Sequence, residues 1–133
     1  MPFRFSGAYT ATITPFDGSR SVDWPSLRAL VEFQRSQGIT GIVPAGTTGE
    51  SPTLTWEEHN KVIETVFEAG GSGLETIAGT GSNSTDEALE ATRHVASLGI
   101  KAALLVDPYY NGPSSLEARR EYYEPIAEAF PEV

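Results

Sequence analysis

Cysteine is absent from the sequence, so disulfide bonds and thiolate metal sites are excluded. The two histidines, His59 and His94, are too far apart along the chain to indicate a local zinc pair. We therefore expect neither a metal nor a cofactor. No apolar run approaches the ~18 residues that a membrane-spanning helix needs, and the N-terminus lacks the apolar stretch of a signal peptide. These absences predict a soluble, cytoplasmic protein that makes no membrane contact.

Positive charge is also scarce. Two lysines, Lys61 and Lys101, and seven arginines stand against 18 acidic residues, which gives a net charge of −9. Because no basic stripe is available to release counterions, nucleic acid is not an expected partner. Leu, Ile, Val and Phe nevertheless recur along all 133 residues, which suits one domain, residues 1–133, with a hydrophobic core.

What the chain does contain is a repeated strand–helix unit. β-branched and apolar runs predict strands over residues 8–16, 41–46, 74–81 and 100–110. Helical spacing of apolar residues follows each strand, over residues 24–37, 56–69, 85–98 and 116–130. Each predicted helix begins at a capping residue, and three of the four have capping-box spacing: Asp23, Thr55-x-x-Glu58, Ser84-x-x-Glu87 and Ser114-x-x-Glu117.

Four strand–helix units predict an α/β fold with a parallel sheet, because helical crossovers place successive strands side by side. Two architectures fit: a small open sheet, or the (β/α)4 half of a (β/α)8 (TIM) barrel. A complete barrel needs about 250 residues. A half-barrel would leave two strand edges and one apolar face of the sheet uncovered.

Polar loops follow the strands, at the end of the sheet where α/β proteins place their active groups. They read "TPFDG", "AGTTGES", "GTGSNST" and "DPYYNGPS". Gly46, Thr47 and Thr48 could hold an oxyanion through backbone N–H groups and hydroxyls, or they could form a turn whose hydroxyls bond locally. Tyr109 and Tyr110 could relay a proton or simply pack. No loop carries a phosphate-binding fingerprint, which disfavours an open-sheet nucleotide binder.

The four loops together resemble the dihydrodipicolinate synthase family. The shared motifs are "TPF", "GTTGES.TLT..EH", "IAGTGSN.T.EA" and "PYYN.PS", and they keep the order and spacing of that family across the whole chain. N-acetylneuraminate lyase and sugar-acid aldolases are related, but the combination of G-T-T-G-E with P-Y-Y-N favours the synthase.

The resemblance implies a TIM-barrel lyase that joins pyruvate, held as a Schiff base on a lysine, to aspartate semialdehyde on the route to diaminopimelate and lysine. It implies that Gly46, Thr47 and Thr48 hold the pyruvate carboxylate, and that Thr47 and Tyr110 relay protons, with Tyr110 reaching across an interface of a homo-oligomer. The positions matching an interface site, which binds lysine in some members, are Ser51, Pro52, Trp56, His59, Asn83, Glu87 and Tyr109.

The resemblance also implies a second relay tyrosine on strand 5 and the Schiff-base lysine on strand 6, both beyond the end of this sequence. Lys61 is predicted on a helix outside the sheet, and Lys101 at the strand end opposite the loops. We therefore expect residues 1–133 to be inactive alone. One alternative is a self-associating half-barrel that binds a small carboxylate without catalysis, because two copies could cover each other's edges and apolar faces. The other is a related sugar-acid or N-acetylneuraminate aldolase.

Overall fold

The computed structural model describes residues 4–133 and contains the four predicted strand–helix units in order. The strands are β1 (Tyr9–Ala11), β2 (Gly41–Val43), β3 (Glu75–Thr76), β4 (Ala78–Gly79) and β5 (Ala103–Leu104). The helices are α1 (Trp24–Ser36), α2 (Trp56–Gly70), α3 (Thr85–Ser97), α4 (Ser115–Ala118) and α5 (Glu124–Ala129). Within this part of the chain, no helix is long and apolar enough to cross a membrane.

All strand pairs are parallel, as predicted. The order is β1–β2–β3 in one sheet and β4–β5 in a second, and a one-residue break at Ile77 separates β3 from β4. The register aligns Tyr9, Gly41 and Glu75. A Cβ at Gly41 would lie 2.7 Å from the Tyr9 ring, so glycine is required where the Tyr9 hydroxyl crosses β2 to donate to the Glu75 carboxylate. The paired segments are shorter than the predicted strands.

The helices begin where the capping residues predicted. Asp23 accepts from the Ser26 N–H at 3.0 Å, and Thr55 and Ser114 each form a complete capping box. The third predicted box is only half formed. Ser84 caps α3, but the Glu87 carboxylate accepts from the Ser82 hydroxyl instead of the Ser84 backbone.

The last predicted helix, residues 116–130, is present but interrupted. A π-helical turn, Arg119–Tyr123, lies between α4 and α5, and the Glu124 N–H donates to the Arg119 carbonyl five residues earlier. Pro125 accounts for the irregularity, because it has no N–H to bond the Glu121 carbonyl and its ring would collide there. The Thr85 hydroxyl bonds that carbonyl instead, at 2.9 Å.

The core lies between the sheet and the helices. Its first part joins β2 to α1 and α2 through buried Leu27, Val31, Ile42, Val62 and Val66. The opposite face of the sheet is uncovered: Ile13 is 56 % exposed, Leu104 49 % and Val106 40 %. Leu104 lies in β5, and Ile13 and Val106 each follow a strand by two residues, so these exposed apolar side chains lie along the sheet and at its loop end. The uncovered apolar face expected of a half-barrel is therefore present.

Candidate active site and the adjoining cavity

The Gly46–Glu50 segment is a compact turn directly after β2. The Gly49 N–H donates to the Gly46 carbonyl at 3.1 Å, the Glu50 N–H to the Thr47 carbonyl at 3.0 Å, and the Ser51 N–H to the Gly46 carbonyl at 3.3 Å. Ala45, just before the turn, and Glu50, its last residue, have positive φ angles of 53° and 58°. These bonds use carbonyl oxygens and leave donors elsewhere in the turn unused.

The unused donors belong to Thr47 and Thr48. Within residues 4–133, neither backbone N–H and neither hydroxyl of this pair has a hydrogen-bond partner. Both side chains are exposed. Two adjacent N–H groups and two hydroxyls on a rigid turn form an arrangement that can hold a carboxylate. The alternative of hydroxyls spent on local backbone groups does not describe Thr47 and Thr48.

The two glycines of the turn serve different purposes. A Cβ at Gly49 would lie 3.1 Å from the Thr12 carbonyl, and the Gly49 carbonyl already accepts from the Thr14 hydroxyl at 2.7 Å. Gly49 therefore lets the turn pack on the chain after β1. At Gly46 the nearest atom to an added Cβ is Leu104 Cδ2, at 3.9 Å. Packing therefore does not require glycine at position 46, but the missing side chain leaves space beside the turn.

A cavity of about 710 Å³ opens beside this turn, at the ends of β2, β4 and β5. All seven predicted interface positions line it, together with two of the predicted substrate residues: Ser51, Pro52, Trp56, His59, Asn83, Glu87, Tyr109, Gly46 and Thr47. Thr48 and Tyr110 are not part of the wall. Residues from four separate stretches of the chain are thus brought to one place.

His59 forms the buried end of the cavity. It is only 2 % exposed, and its ring packs edge-on against Trp56 at 4.8 Å between centroids. Neither ring nitrogen has a hydrogen-bond partner within residues 4–133. Burial lowers the pKa of His59, and the nearby Asn60 side chain and Gly79 backbone only partly oppose that shift. The imidazole is therefore neutral near pH 7, with one nitrogen able to donate and the other able to accept.

Another part of the wall comes from the loop after β4 and the first turn of α3. The Asn83 side-chain oxygen accepts from the Tyr110 N–H at 2.9 Å, and the Glu87 carboxylate accepts from the Ser82 hydroxyl. Glu87 is the only charged side chain lining the cavity among the described residues. This end of the cavity suits a positively charged group, whereas the Thr47 end suits an anion.

The two tyrosines after β5 project outward. Tyr109 is 57 % exposed and Tyr110 is 85 % exposed. Tyr110 does not line the cavity that Thr47 lines, so a single copy of the chain does not bring together the two residues predicted to relay protons. The expectation that Tyr110 acts across an interface with a second copy agrees with this exposure, and it stays a prediction.

Neither lysine lies at the cavity. The Lys61 Nζ lies over the Trp24 ring, 4.5 Å from its centroid, between α1 and α2. Lys101 is exposed just before β5, at the end of that strand opposite the loops. As for metals, the described part of the chain holds no group of three or more His, Cys, Asp or Glu side chains suited to an ion.

Two residues near the site were not predicted to act there. Tyr122 and Tyr123, expected to be structural, bond the Ser82 N–H and the Asp107 carboxylate. Burial and the bond to Asp107 raise the pKa of Tyr123 to about 12. The sequence signal that could have found them is Pro125, since a proline inside a predicted helix disturbs the turn before it.

Comparison with known proteins gives one family over nearly the whole chain. The sequence profile of the Dihydrodipicolinate synthetase family matches residues 4–132. The 4-hydroxy-tetrahydrodipicolinate synthase of Bartonella bacilliformis is 50 % identical over 123 residues, which is 92 % of this chain and 42 % of that protein. The chain thus spans less than half the length of the curated relatives that it matches.

Solved structures agree. Dihydrodipicolinate synthase from Acinetobacter baumannii, complexed with pyruvate, is 46 % identical with a TM-score of 0.89, over 92 % of this chain and 42 % of its own. The enzyme from Cyanidioschyzon merolae, with lysine bound, is 40 % identical with a TM-score of 0.91, over 97 % of this chain and 44 % of its own. Proteus mirabilis N-acetylneuraminate lyase is 33 % identical with a TM-score of 0.89, over 97 % of this chain and 44 % of its own. The synthase structures are TIM barrels, so the predicted (β/α)4 half-barrel is confirmed.

Proposed function

Because the chain belongs to the dihydrodipicolinate synthetase family, we propose that it carries the pyruvate-binding turn of a 4-hydroxy-tetrahydrodipicolinate synthase. The reaction is condensation of pyruvate, held as a Schiff base, with aspartate semialdehyde, in the cytoplasm, on the route to diaminopimelate and lysine. Residues 1–133 act as one (β/α)4 unit in this proposal. The observation that carries it is the set of unused donors on Thr47 and Thr48 beside a cavity.

The roles follow from the chemistry of the turn. The N–H groups and hydroxyls of Thr47 and Thr48 bind the carboxylate of pyruvate, and Gly46 leaves room for it. No lysine or arginine lines the cavity among the described residues, so dipoles rather than a full positive charge hold this anion. Thr47 passes a proton to Tyr110 of a neighbouring copy, which requires a homo-oligomer.

The covalent step needs an amine with a lowered pKa inside the pocket. Lys61 lies against Trp24 and Lys101 at the far end of β5, so neither serves, and we propose that the imine lysine is not among residues 1–133. Purified chain treated with pyruvate and borohydride should keep its intact mass. A reduced pyruvate adduct on Lys61 or Lys101 would show this assignment to be wrong.

Pyruvate affinity, measured by titration calorimetry, tests the binding role. Thr47→Val removes a hydroxyl that bonds a charged group, so pyruvate should bind about tenfold more weakly. The matched control is Thr53→Val in the same loop, because the Thr53 hydroxyl bonds the Glu50 carbonyl at 2.9 Å and does not line the cavity. Equal losses in both variants, or no loss in Thr47→Val, would contradict the proposal.

We also propose that the other end of the cavity binds lysine as an effector. The relative from Cyanidioschyzon merolae was solved with lysine bound. Here the Glu87 carboxylate suits an ammonium group, and the partnerless His59 nitrogens can bond a carboxylate or an amine. Lysine should quench or shift the fluorescence of Trp56, and His59→Leu should abolish that response while pyruvate binding persists.

The uncovered apolar face favours one further candidate, self-association of half-barrels. Ile13, Leu104 and Val106 expose side chains that another sheet could cover. Sedimentation should then show a dimer, and Ile13→Asp should dissociate it. A folded monomer at all concentrations would exclude this candidate.

A further inference from the structure

Two consecutive phenols in the π-helical turn hold two different loops of the site. The Tyr122 oxygen accepts from the Ser82 N–H at 3.0 Å, in the loop after β4. The Tyr123 hydroxyl donates to the Asp107 carboxylate, in the loop after β5. One short helical segment thus contacts two of the loops that border the cavity.

The same two loops are also bonded to each other. The Tyr110 N–H donates to the Asn83 side-chain oxygen at 2.9 Å. Asn83 is adjacent to Ser82, and Tyr110 follows Asp107 by three residues. The three bonds therefore close a ring from the π-turn to the first loop, across to the second loop, and back to the π-turn.

The π-turn is itself anchored. Tyr122 is only 2 % exposed and packs with Ala88 and Ile126, and its ring meets the Tyr123 ring edge-on, with centroids 5.0 Å apart. The Glu121 carbonyl, which Pro125 cannot bond, accepts from the Thr85 hydroxyl at the start of α3. Because the π-turn is held in place by these contacts, Tyr122 and Tyr123 can restrain the loops that they bond.

We propose that Tyr122 and Tyr123 are positioning residues that fix the Tyr109–Tyr110 segment relative to the cavity. This inference rests on the proposed function for the role of Tyr110, but the geometry it asserts does not. A purely structural role would lower the stability of the whole domain. Positioning requires more, namely that loss of the Tyr123 hydroxyl loosens Tyr110, although Tyr123 bonds neither Tyr110 nor Asn83.

Amide hydrogen exchange of the 133-residue chain, resolved by NMR, provides the test and requires no substrate. In Tyr123→Phe the Tyr110 amide should exchange about tenfold faster than in the unmodified chain, which corresponds to one lost bond to a charged group. Tyr122→Phe should speed exchange at Ser82 directly and at Tyr110 through Asn83. Unchanged exchange at Tyr110 in both variants would overturn the proposal.

The matched control is Tyr9→Phe. The Tyr9 hydroxyl also donates to a carboxylate, that of Glu75, but at the opposite end of the sheet. The Tyr9→Phe variant should leave hydrogen exchange at the Tyr110 amide unchanged. Equal acceleration of that exchange in Tyr9→Phe and Tyr123→Phe would show that general destabilisation causes it. Asp107→Asn keeps an accepting oxygen and should preserve protection at Tyr110, whereas Asp107→Ala should lose it. Because pyruvate is absent, failure here is distinct from failure of pyruvate binding.

Discussion

Protonation of His59 should destabilise the folded chain. The ring is almost fully buried, and the nearby Asn60 side chain and Gly79 backbone only partly offset the cost of placing a positive charge there. Burial therefore lowers the pKa of His59 below its ordinary value of 6.5 in the folded state. In the unfolded chain the same imidazole is in water and binds a proton at its ordinary pKa.

The pH dependence of the free energy of unfolding follows from the difference in proton binding between the folded and the unfolded chain. Because the unfolded chain binds this proton more readily, the contribution of His59 to the free energy of unfolding is complete above pH 6.5 and is lost as the pH falls below that value. One proton accounts for about 1.4 kcal/mol per pH unit. We therefore expect His59 to cost up to about 1.4 kcal/mol between about pH 7.5 and about pH 5.5.

Urea unfolding followed by tryptophan fluorescence measures this free energy at each pH. His59→Gln and His59→Leu should both be less dependent on pH over that range than the unmodified chain, whatever their absolute stability. His94→Gln removes the other histidine and should keep a loss of this size, because His59 stays buried. A His59 variant that retains the full pH dependence would refute the reasoning.

Three further predictions concern packing, capping and charge. Gly79→Ala should destabilise the fold severely, because the added Cβ would lie 2.1 Å from the Ala45 carbonyl, whereas Gly46→Ala should unfold at the same urea concentration as the unmodified chain and bind pyruvate less tightly. Thr55→Ala removes the side-chain half of a capping box, the hydroxyl that accepts from the Glu58 N–H, and should cost about 1 kcal/mol in urea unfolding, with Thr55→Ser restoring most of it. Added sodium chloride should raise the thermal midpoint, because it screens repulsion within a chain of net charge −9, and a midpoint that falls with salt would contradict this.

Local features of the structure were predictable because short-range chemistry decides them. The starts of α1 and α2 followed from Asp23 and from the Thr55–Glu58 box, whose partners are three residues apart. Where a distant partner competed, the prediction was incomplete. Glu87 has capping-box spacing, but Ser82, five residues earlier, takes its carboxylate.

The sequence predicted which residues lie at the candidate site better than it predicted the hydrogen bonds among them. The motifs singled out Thr47 and the seven positions predicted to form an interface site, and the fold brings them to one cavity, while their roles stay predictions. The contacts of Tyr122 and Tyr123 were not predicted: Pro125 signals a disturbed helical turn, but it does not identify the loops that the two phenols bond. The Tyr122–Ser82 bond joins residues 40 positions apart and the Tyr123–Asp107 bond joins residues 16 positions apart, so local sequence spacing gives no sign of either bond.

The most direct test of the central claim is where pyruvate binds on this chain. In a ¹H–¹⁵N titration with pyruvate, the amides of Thr47 and Thr48 should shift first and most, because their N–H groups bond the carboxylate. The ethyl ester, which lacks that charge, should leave both amides in place. Shifts centred on His59 and Glu87 with Thr47 and Thr48 unmoved, or no shift at all, would contradict the account.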